Sequence, residues 1–453
     1  MRLPFWQFIK KVKSRIGLMQ ENIYPTPQWN LAKKIAFRFV FVYFLLYNLP
    51  FPFNIPANIF PFNLLNIIGE KYNSLLALIV PWVGKHILQI SYEVNTTDTG
   101  SGDRTFDYVL VLCFFAIALF VTVSWTLFDR KRPNYDYLHQ LLRIYVRYSL
   151  ATIMISYGAV KVIKSQFPYP FLSKLVQPFG DSSPMGLLWT FMGFSEPYNT
   201  FAGGAEMLGG GLLVFPQITT LGALICIGVM SNVLMLNMSY DVPVKLFLFH
   251  LILMAIFLLA PDLRRLMYLF ILNYKVEGVV FRPLFERQSL NRLGDIFGVV
   301  FIFIVSIGLL LEAYEGRKIY GDLAPKPPLY GIWVVDEFEI NGEVKAPLLT
   351  DETRWRRVIF EFAESATIQN MSEKKDYFML KLDMEKKTLE LGKYQDENWK
   401  ANFSFEQPNL ETMTWQGKLD DKPAHLKLHR LDETKFLLNS RGFRWVNEYP
   451  YNR

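Results

Sequence analysis

Long apolar runs crowd the first 315 residues of the chain and are missing from the last 130. The runs fall at 33–50, 106–128, 138–163, 200–216, 218–238, 244–260 and 294–313. A helix needs about 20 apolar residues to cross a bilayer, so the pattern predicts seven transmembrane helices. The runs at 33–50 and 200–216 are short, and Arg143, Arg147 and Lys161 interrupt the one at 138–163. Past 315 the period changes to two. FMLKLDM at 378–384, TLELG at 388–392, NFSFE at 402–406 and AHLKLH at 424–429 alternate apolar and polar residues. Turn signals such as Asn341-Gly342 and Asp420-Asp421 separate them. The expected fold is therefore a membrane all-α bundle of seven helices over 33–315, then an all-β barrel or sandwich over 325–453. Residues 1–32 form a basic N-terminal segment, whose first 20 read as an amphipathic helix with Phe5, Phe8, Ile9 and Val12 opposite Lys10, Lys11 and Lys13.

Loop charge tests the helix count. Lys and Arg concentrate in cytoplasmic loops. The N-terminal segment holds Arg2, Lys10, Lys11, Lys13, Arg15, Lys33 and Lys34. The 129–137 loop holds Arg130, Lys131 and Arg132, and the 261–293 loop holds Arg264, Arg265, Lys275, Arg282, Arg287 and Arg292. The loops between are poor in cations, so rich and poor loops alternate as seven crossings require. This places the N-terminus in the cytoplasm and the β-domain outside the cell membrane, in the periplasm of a Gram-negative cell. The first 34 residues lack a continuous apolar core and a small-residue cleavage site, so no signal peptide is expected. Two outer loops, 51–90 and 167–194, are rich in Pro, Phe, Tyr and Trp and read as interfacial or re-entrant segments over the bundle.

Composition adds little to this and removes several function classes. The net charge of +7 comes from loop cations that a membrane protein places there, and implies no nucleic-acid partner. The only cysteines, Cys113 and Cys226, lie far apart inside apolar runs. That leaves no Cys-based metal site and no disulfide in the β-domain; both thiols read as packing residues. No Gly-rich nucleotide-binding turn is present. His425 and His429, four residues apart on one strand, stand about 13 Å apart and cannot chelate one ion.

Ionisable groups inside hydrocarbon are costly and mark function. On the third helix Arg147, Met154, Gly158 and Lys161 share a face. The fourth helix reads FAGGAEMLGGGLLVF, and Glu206 is its only charge. Lys161 and Glu206 fall at similar depth in the outer half of the bundle and are expected to pair. Tyr157, Asn232 and His250 lie near the same level, so Tyr157, Lys161, Glu206, Asn232 and His250 are the candidate lining of a polar pocket open to the outside. The alternative is a buried ion pair that only orders the bundle.

The stretch from about Arg143 to Pro261 resembles the DoxX family of small four-helix membrane proteins. The resemblance rests on Gly158-Ala-Val-Lys161, on Phe201-Ala-Gly-Gly-Ala-Glu206-Met-Leu-Gly-Gly-Gly-Leu212, and on Gln217-Ile-Thr-Thr. The family has a G-x-x-K ending one helix and an E-x-x-G-G-x-x-L opening the next, with Lys161 and Glu206 at those positions. It is similar to subunits of quinone-linked oxidoreductases, and many members have no assigned activity. The resemblance thus implies a redox association with quinone as the cofactor to expect; the residues themselves show no cofactor site. Helices before and after this stretch, the aromatic loops and the β-domain depart from the family. In the β-domain, Gly331-Ile332-Trp333 resembles the opening G-x-W of lipocalin-like barrels, where a late Arg caps the Trp; here that is Arg441 or Arg444. Three functions follow as expectations. The first is an accessory protein that binds lipid, quinone or a partner and is not an enzyme by itself. The second is a membrane subunit of a quinone-linked oxidoreductase with a redox or assembly partner. The third is a transporter, against which stands the lack of an inverted repeat.

Overall fold

The computed structural model describes residues 28–52, 63–278, 284–394, 396 and 398–452. The expected N-terminal amphipathic helix and most of the PFPFNIPANIFPF run lie outside the described residues. The helical part contains α1 (Leu31–Asn48), α2 (Asn63–His86), α3 (Thr105–Phe128), α4 (Asp136–Val162), the single turn α5 (Leu172–Leu175), α6 (Pro184–Phe194), α7 (Glu196–Leu213), α8 (Thr219–Ser239), α9 (Lys245–Leu259), α10 (Leu263–Phe270) and α11 (Gln288–Tyr320). Helices occupy every span expected from hydropathy. Among the described residues four are long and apolar enough to cross a membrane: Thr105–Phe128, Pro216–Ser239, Lys245–Phe270 and Gln288–Tyr320. The other three expected spans correspond to α1, α4 and α7, which carry Lys33, Lys34 and Arg38; Arg143, Arg147 and Lys161; and Glu196 and Glu206.

The chain divides into two compact units. One comprises 1–152, 212–227 and 243–302; the other comprises 153–211, 228–242 and 303–453. In the first unit, hydrogen bonds gather the loops into two ends. At one end Trp29 N donates to Pro133 O, Lys34 Nζ to Arg132 O, and the buried Arg38 guanidinium to Thr126, Tyr135 and the Asp129 carbonyl. At the other, Gly102 N donates to Pro243 O, and Asp103 accepts from the amides of Lys245 and Leu246. Those two amides belong to the first turn of α9, where no intrahelical partner exists, so Asp103 caps the helix from another segment and places its charge on the positive end of the dipole. Tyr43 and Tyr47 of α1 reach His250, one turn into α9. Thus α1 runs from the first end to the second, where α3 begins. Between them lies α2, a 24-residue helix that contains Pro81.

The C-terminal domain is a closed barrel, not a sandwich. Its strands are β1 (Gly331–Ile340), β2 (Glu343–Val344), β3 (Trp355–Phe360), β4 (Ser365–Asn370), β5 (Lys375–Asp383), β6 (Thr388–Lys393), β7 (Lys400–Glu406), β8 (Thr412–Leu419) and β9 (Lys422–Leu431). All neighbours are antiparallel and sequential except that β3 follows β1 directly; β2 is a short hairpin on the end of β1, and β1 pairs with β9 to close the ring. The predicted turns are present: Asn341 and Gly342 both have positive φ, as do Asp420 and Asp421, the signature of tight hairpins matched to strand twist. Alternation fills the interior. In β7 Ala401, Phe403 and Phe405 point inward and Lys400, Asn402, Ser404 and Glu406 outward. Trp333, Trp355, Trp415, Phe338, Phe360 and Phe403 pack at the centre, as expected of an eight-strand ring whose interior side chains can just occupy. A single-turn helix, α12 (Leu437–Ser440), follows the barrel.

Candidate functional site

In the second unit α4 and α7 meet at glycine. A Cβ on Gly158 would stand 2.6 Å from Gly203 O, and one on Gly203 would stand 2.5 Å from Gly158 O. Only glycine permits backbones this close, and the small-residue contact is how apolar helices associate without a hydrophobic driving force. One turn beyond Gly158, Lys161 Nζ donates to Glu206 Oε2 at 2.9 Å and to the Tyr157 carbonyl at 3.4 Å. The Tyr157 ring lies 5.4 Å from the ammonium. Lys161 and Glu206 are 6% and 1% exposed, so the pair is sealed from solvent. Each charge supplies the other's counter-ion where neither has water.

Asn232 and His250 have surroundings of their own. The buried face of α8 passes through Thr219, Ala223, Cys226, Met230 and Asn237. Asn232, two residues past Met230, is turned about 200° from that face and is exposed. Asn237 is the buried asparagine, and its Nδ2 has no hydrogen-bond partner among the described residues. The one-face spacing of α8 was the signal that distinguishes the two. His250 is held in the first unit: Nδ1 bonds with the Leu246 carbonyl, Nε2 with the Tyr43 hydroxyl at 2.6 Å, and the Tyr47 ring stacks on it at 4.1 Å. A carbonyl can only accept, so Nδ1 carries the proton and Nε2 accepts from Tyr43. This is a satisfied core histidine.

The loop joining α4 to α7 was expected to lie over the bundle. Its first part instead grips the barrel. Lys164 pairs with Asp322 at 2.9 Å, and Asp322 also accepts from the Tyr169 amide at 2.6 Å. The Tyr169 hydroxyl donates to Asn439, just after the barrel. Leu172 is buried against Ile332 and Ile359, and Phe171 packs edge-on against Phe362. Ser173 donates to Glu361 at 3.0 Å and accepts from Lys375 through its carbonyl at 2.5 Å. Burial pushes the Glu361 carboxyl above its ordinary range, against the pull of Ser173 and the amides of Leu172 and Ser173. Burial likewise lowers Lys375. The physical reason for the docking is Ile332, which faces outward between the inward Gly331 and Trp333. The unbroken apolar run GIWVV is that of a strand covered on both faces.

In the barrel, Trp333 is buried and its Nε1 donates to the Leu329 carbonyl at 2.9 Å. Neither Arg441 nor Arg444 caps it. The chain leaves the sheet at Leu431, and Arg441 binds Asn447 and lies over Tyr451 while Arg444 is exposed. The arginine beside the G-I-W strand is Arg430, the cross-strand partner of Trp333. Gly331 has φ +145°, and a Cβ there would meet Arg430 Nε at 2.7 Å. Positions 424, 426 and 428 point inward, so the alternation extended by one step finds Arg430. Arg354, also missed, is 2% exposed and donates to the carbonyls of Lys345, Trp355, Val335 and Asp336. It holds the bulge that shifts the β1 register between Val335 and Glu337.

Glu337, Glu339 and His425 on β1 and β9 bring potential metal-ligand atoms within 4.8 Å of one another. His425 lies beside the two glutamates, and His429 bonds Asp336. The cluster is part-exposed, and Lys427 already pairs with Glu337 at 2.8 Å. That ammonium supplies the charge that an ion would bring.

No family model matches the chain, and no solved structure matches it. An uncharacterised protein of Bacillus subtilis, YwoB, is 31% identical over 126 residues, covering 27% of this chain and 79% of that protein. The chain belongs to the YwoB family. The match spans most of YwoB and about a quarter of this chain.

Proposed function

We propose that the protein is a seven-pass membrane accessory protein of DoxX-like type, with its N-terminus in the cytoplasm and its barrel outside, and that it binds a lipid, quinone or partner subunit near Lys161 and Glu206 without catalysing a reaction itself. The observation that carries this reading is the sealed Lys161–Glu206 pair at the Gly158–Gly203 crossing. A charge pair placed where water is absent marks a recognition or assembly point more readily than a reaction centre, since both charges are already committed. The orientation is supported by Lys33, Lys34, Arg130, Lys131 and Arg132 lying at one end of the first unit, opposite Asp103 and Asp107. The filled barrel supports a docking module over a carrier of apolar ligands.

The test is native mass spectrometry and lipid extraction of the purified protein, wild type against Lys161→Met with Glu206→Leu. Retention of a quinone or lipid by the wild type and its loss in the double variant supports ligand binding. Equal retention by both removes the pair from any ligand site. Co-purification of a stoichiometric membrane partner, lost in the double variant, assigns the pair to assembly.

A further inference from the structure

Residues 441–452 present large apolar side chains outward. Phe443, Trp445, Val446 and Tyr449 are 79%, 91%, 75% and 84% exposed. Gly442 turns the chain at φ +62°. Arg441 binds Asn447 at 2.6 Å and lies 4.1 Å over the Tyr451 ring. Asn447 in turn donates to the Arg444 carbonyl, and Phe443 meets Trp445 edge-on at 5.1 Å. A loop closed by its own polar contacts, with aromatic residues on the outside and arginines at its base, has the chemistry of an interfacial anchor. Trp and Tyr prefer the headgroup level, where a ring can sit among acyl chains and its polar edge in water.

Where the loop starts supports that occupant. Asn439 is bonded to Tyr169, whose amide is bonded to Asp322, two residues beyond the end of the membrane-length helix Gln288–Tyr320. The apolar stretch of that helix ends near 313, so Tyr320 stands about 10 Å past the hydrocarbon edge at 1.5 Å per residue. The headgroup layer is itself about 5–8 Å thick. Six residues separate Asn439 from Trp445, a reach of up to about 20 Å. The loop is therefore tethered just above the outer leaflet, with chain enough to enter it.

We propose that residues 441–452 form a membrane-surface anchor that seats Phe443, Trp445 and Val446 in the headgroup region of the outer leaflet and so holds the barrel against the bilayer. This requires that Gln288–Tyr320 crosses the membrane, rests on the proposed orientation for the leaflet, and is independent of any ligand at Lys161 and Glu206.

The test uses the full chain in liposomes of phosphatidylethanolamine and phosphatidylglycerol, with Cys113→Ser and Cys226→Ala removing the native thiols. Val446→Cys or, as control, Asp421→Cys in the β8–β9 turn carries an environment-sensitive fluorophore. At 446 the expected result is blue-shifted emission that lipids spin-labelled near the headgroup quench at least twofold, whereas the label at 421 stays water-like and unquenched. Emission at 446 as water-like as at 421 overturns the proposal. So does a label at 446 that is shielded from aqueous iodide but not quenched by the spin-labelled lipids, because protein and not lipid then covers the loop. A Trp445→Ala variant should lower the lipid quenching at 446 while leaving barrel circular dichroism unchanged; quenching unaffected by that change counts against the tryptophan as the seat.

Discussion

Replacing one member of the Lys161–Glu206 pair should cost far more than replacing both. In Lys161→Met the Glu206 carboxylate, 1% exposed and 2.9 Å from its former partner, is left without a counter-ion. In Glu206→Gln the ammonium is left facing a neutral amide. Breaking a buried pair by removing one partner costs about 3–5 kcal/mol. For a unit of 150–250 residues, each kcal/mol moves the midpoint by about 2–4 °C, so either single variant should melt about 6–20 °C below wild type. Replacing both by apolar residues removes two desolvated charges at once. That is often neutral, or stabilising by about 1–4 kcal/mol, so Lys161→Met with Glu206→Leu should melt at or above wild type. The assay is residual monodisperse protein by size exclusion after a heating series in detergent. The decisive quantity is the coupling, the double variant's shift minus the sum of the singles. Single variants within about 2 °C of wild type, or a double variant as unstable as the two singles added, would refute the sealed-pair reasoning.

Asp103→Ala should strip the first turn of α9 of its acceptor for the Lys245 and Leu246 amides; loss of a cap costs about 1–2 kcal/mol, and hydrogen exchange at those amides should rise by about an order of magnitude. Arg354→Met should leave the carbonyls at the β1 bulge unpaired in a buried place, at about 1–3 kcal/mol per orphaned group, lowering the urea midpoint of the barrel followed by tryptophan fluorescence while the helical signal persists. The loop contact at Glu361 should depend on pH. Its folded pKa is raised, so its contribution is fully present below the unfolded value of 4.5 and is lost as pH rises through the folded value. Amide protection at Leu172 and Ser173 should accordingly grow as pH falls from 7 towards 4.5, and Glu361→Gln should abolish that trend; a pH-independent profile in wild type would contradict it.

The barrel was nearly legible in sequence, because a period of two and a pair of positive-φ turns fix both strand faces and hairpins. Sandwich and barrel share those signals. The choice turned on β1 pairing with β9, a contact across about 90 residues that no local pattern encodes. The Lys161–Glu206 pair was legible because charges in apolar helices are few. Asn232 misled because depth was read without rotation around α8, where Met230 and Asn237 define the inward face. Arg441 and Arg444 misled because both lie beyond the last strand; the inward alternation of β9 ends at Arg430. The docking of Leu172 could not be read from its own loop at all. Its partner is the outward Ile332, an apolar residue that only a covering segment explains.

The loop that carries Leu172 and Ser173 begins where α4 ends and finishes where α7 starts. Its two feet therefore stand on the very helices that Lys161 and Glu206 clamp together, while its middle holds the barrel through Glu361, Lys375 and Ile332. The ion pair and the barrel contacts are therefore carried by one continuous stretch of chain, so a substitution that displaces α4 or α7 acts on the same segment that Glu361 and Lys375 hold.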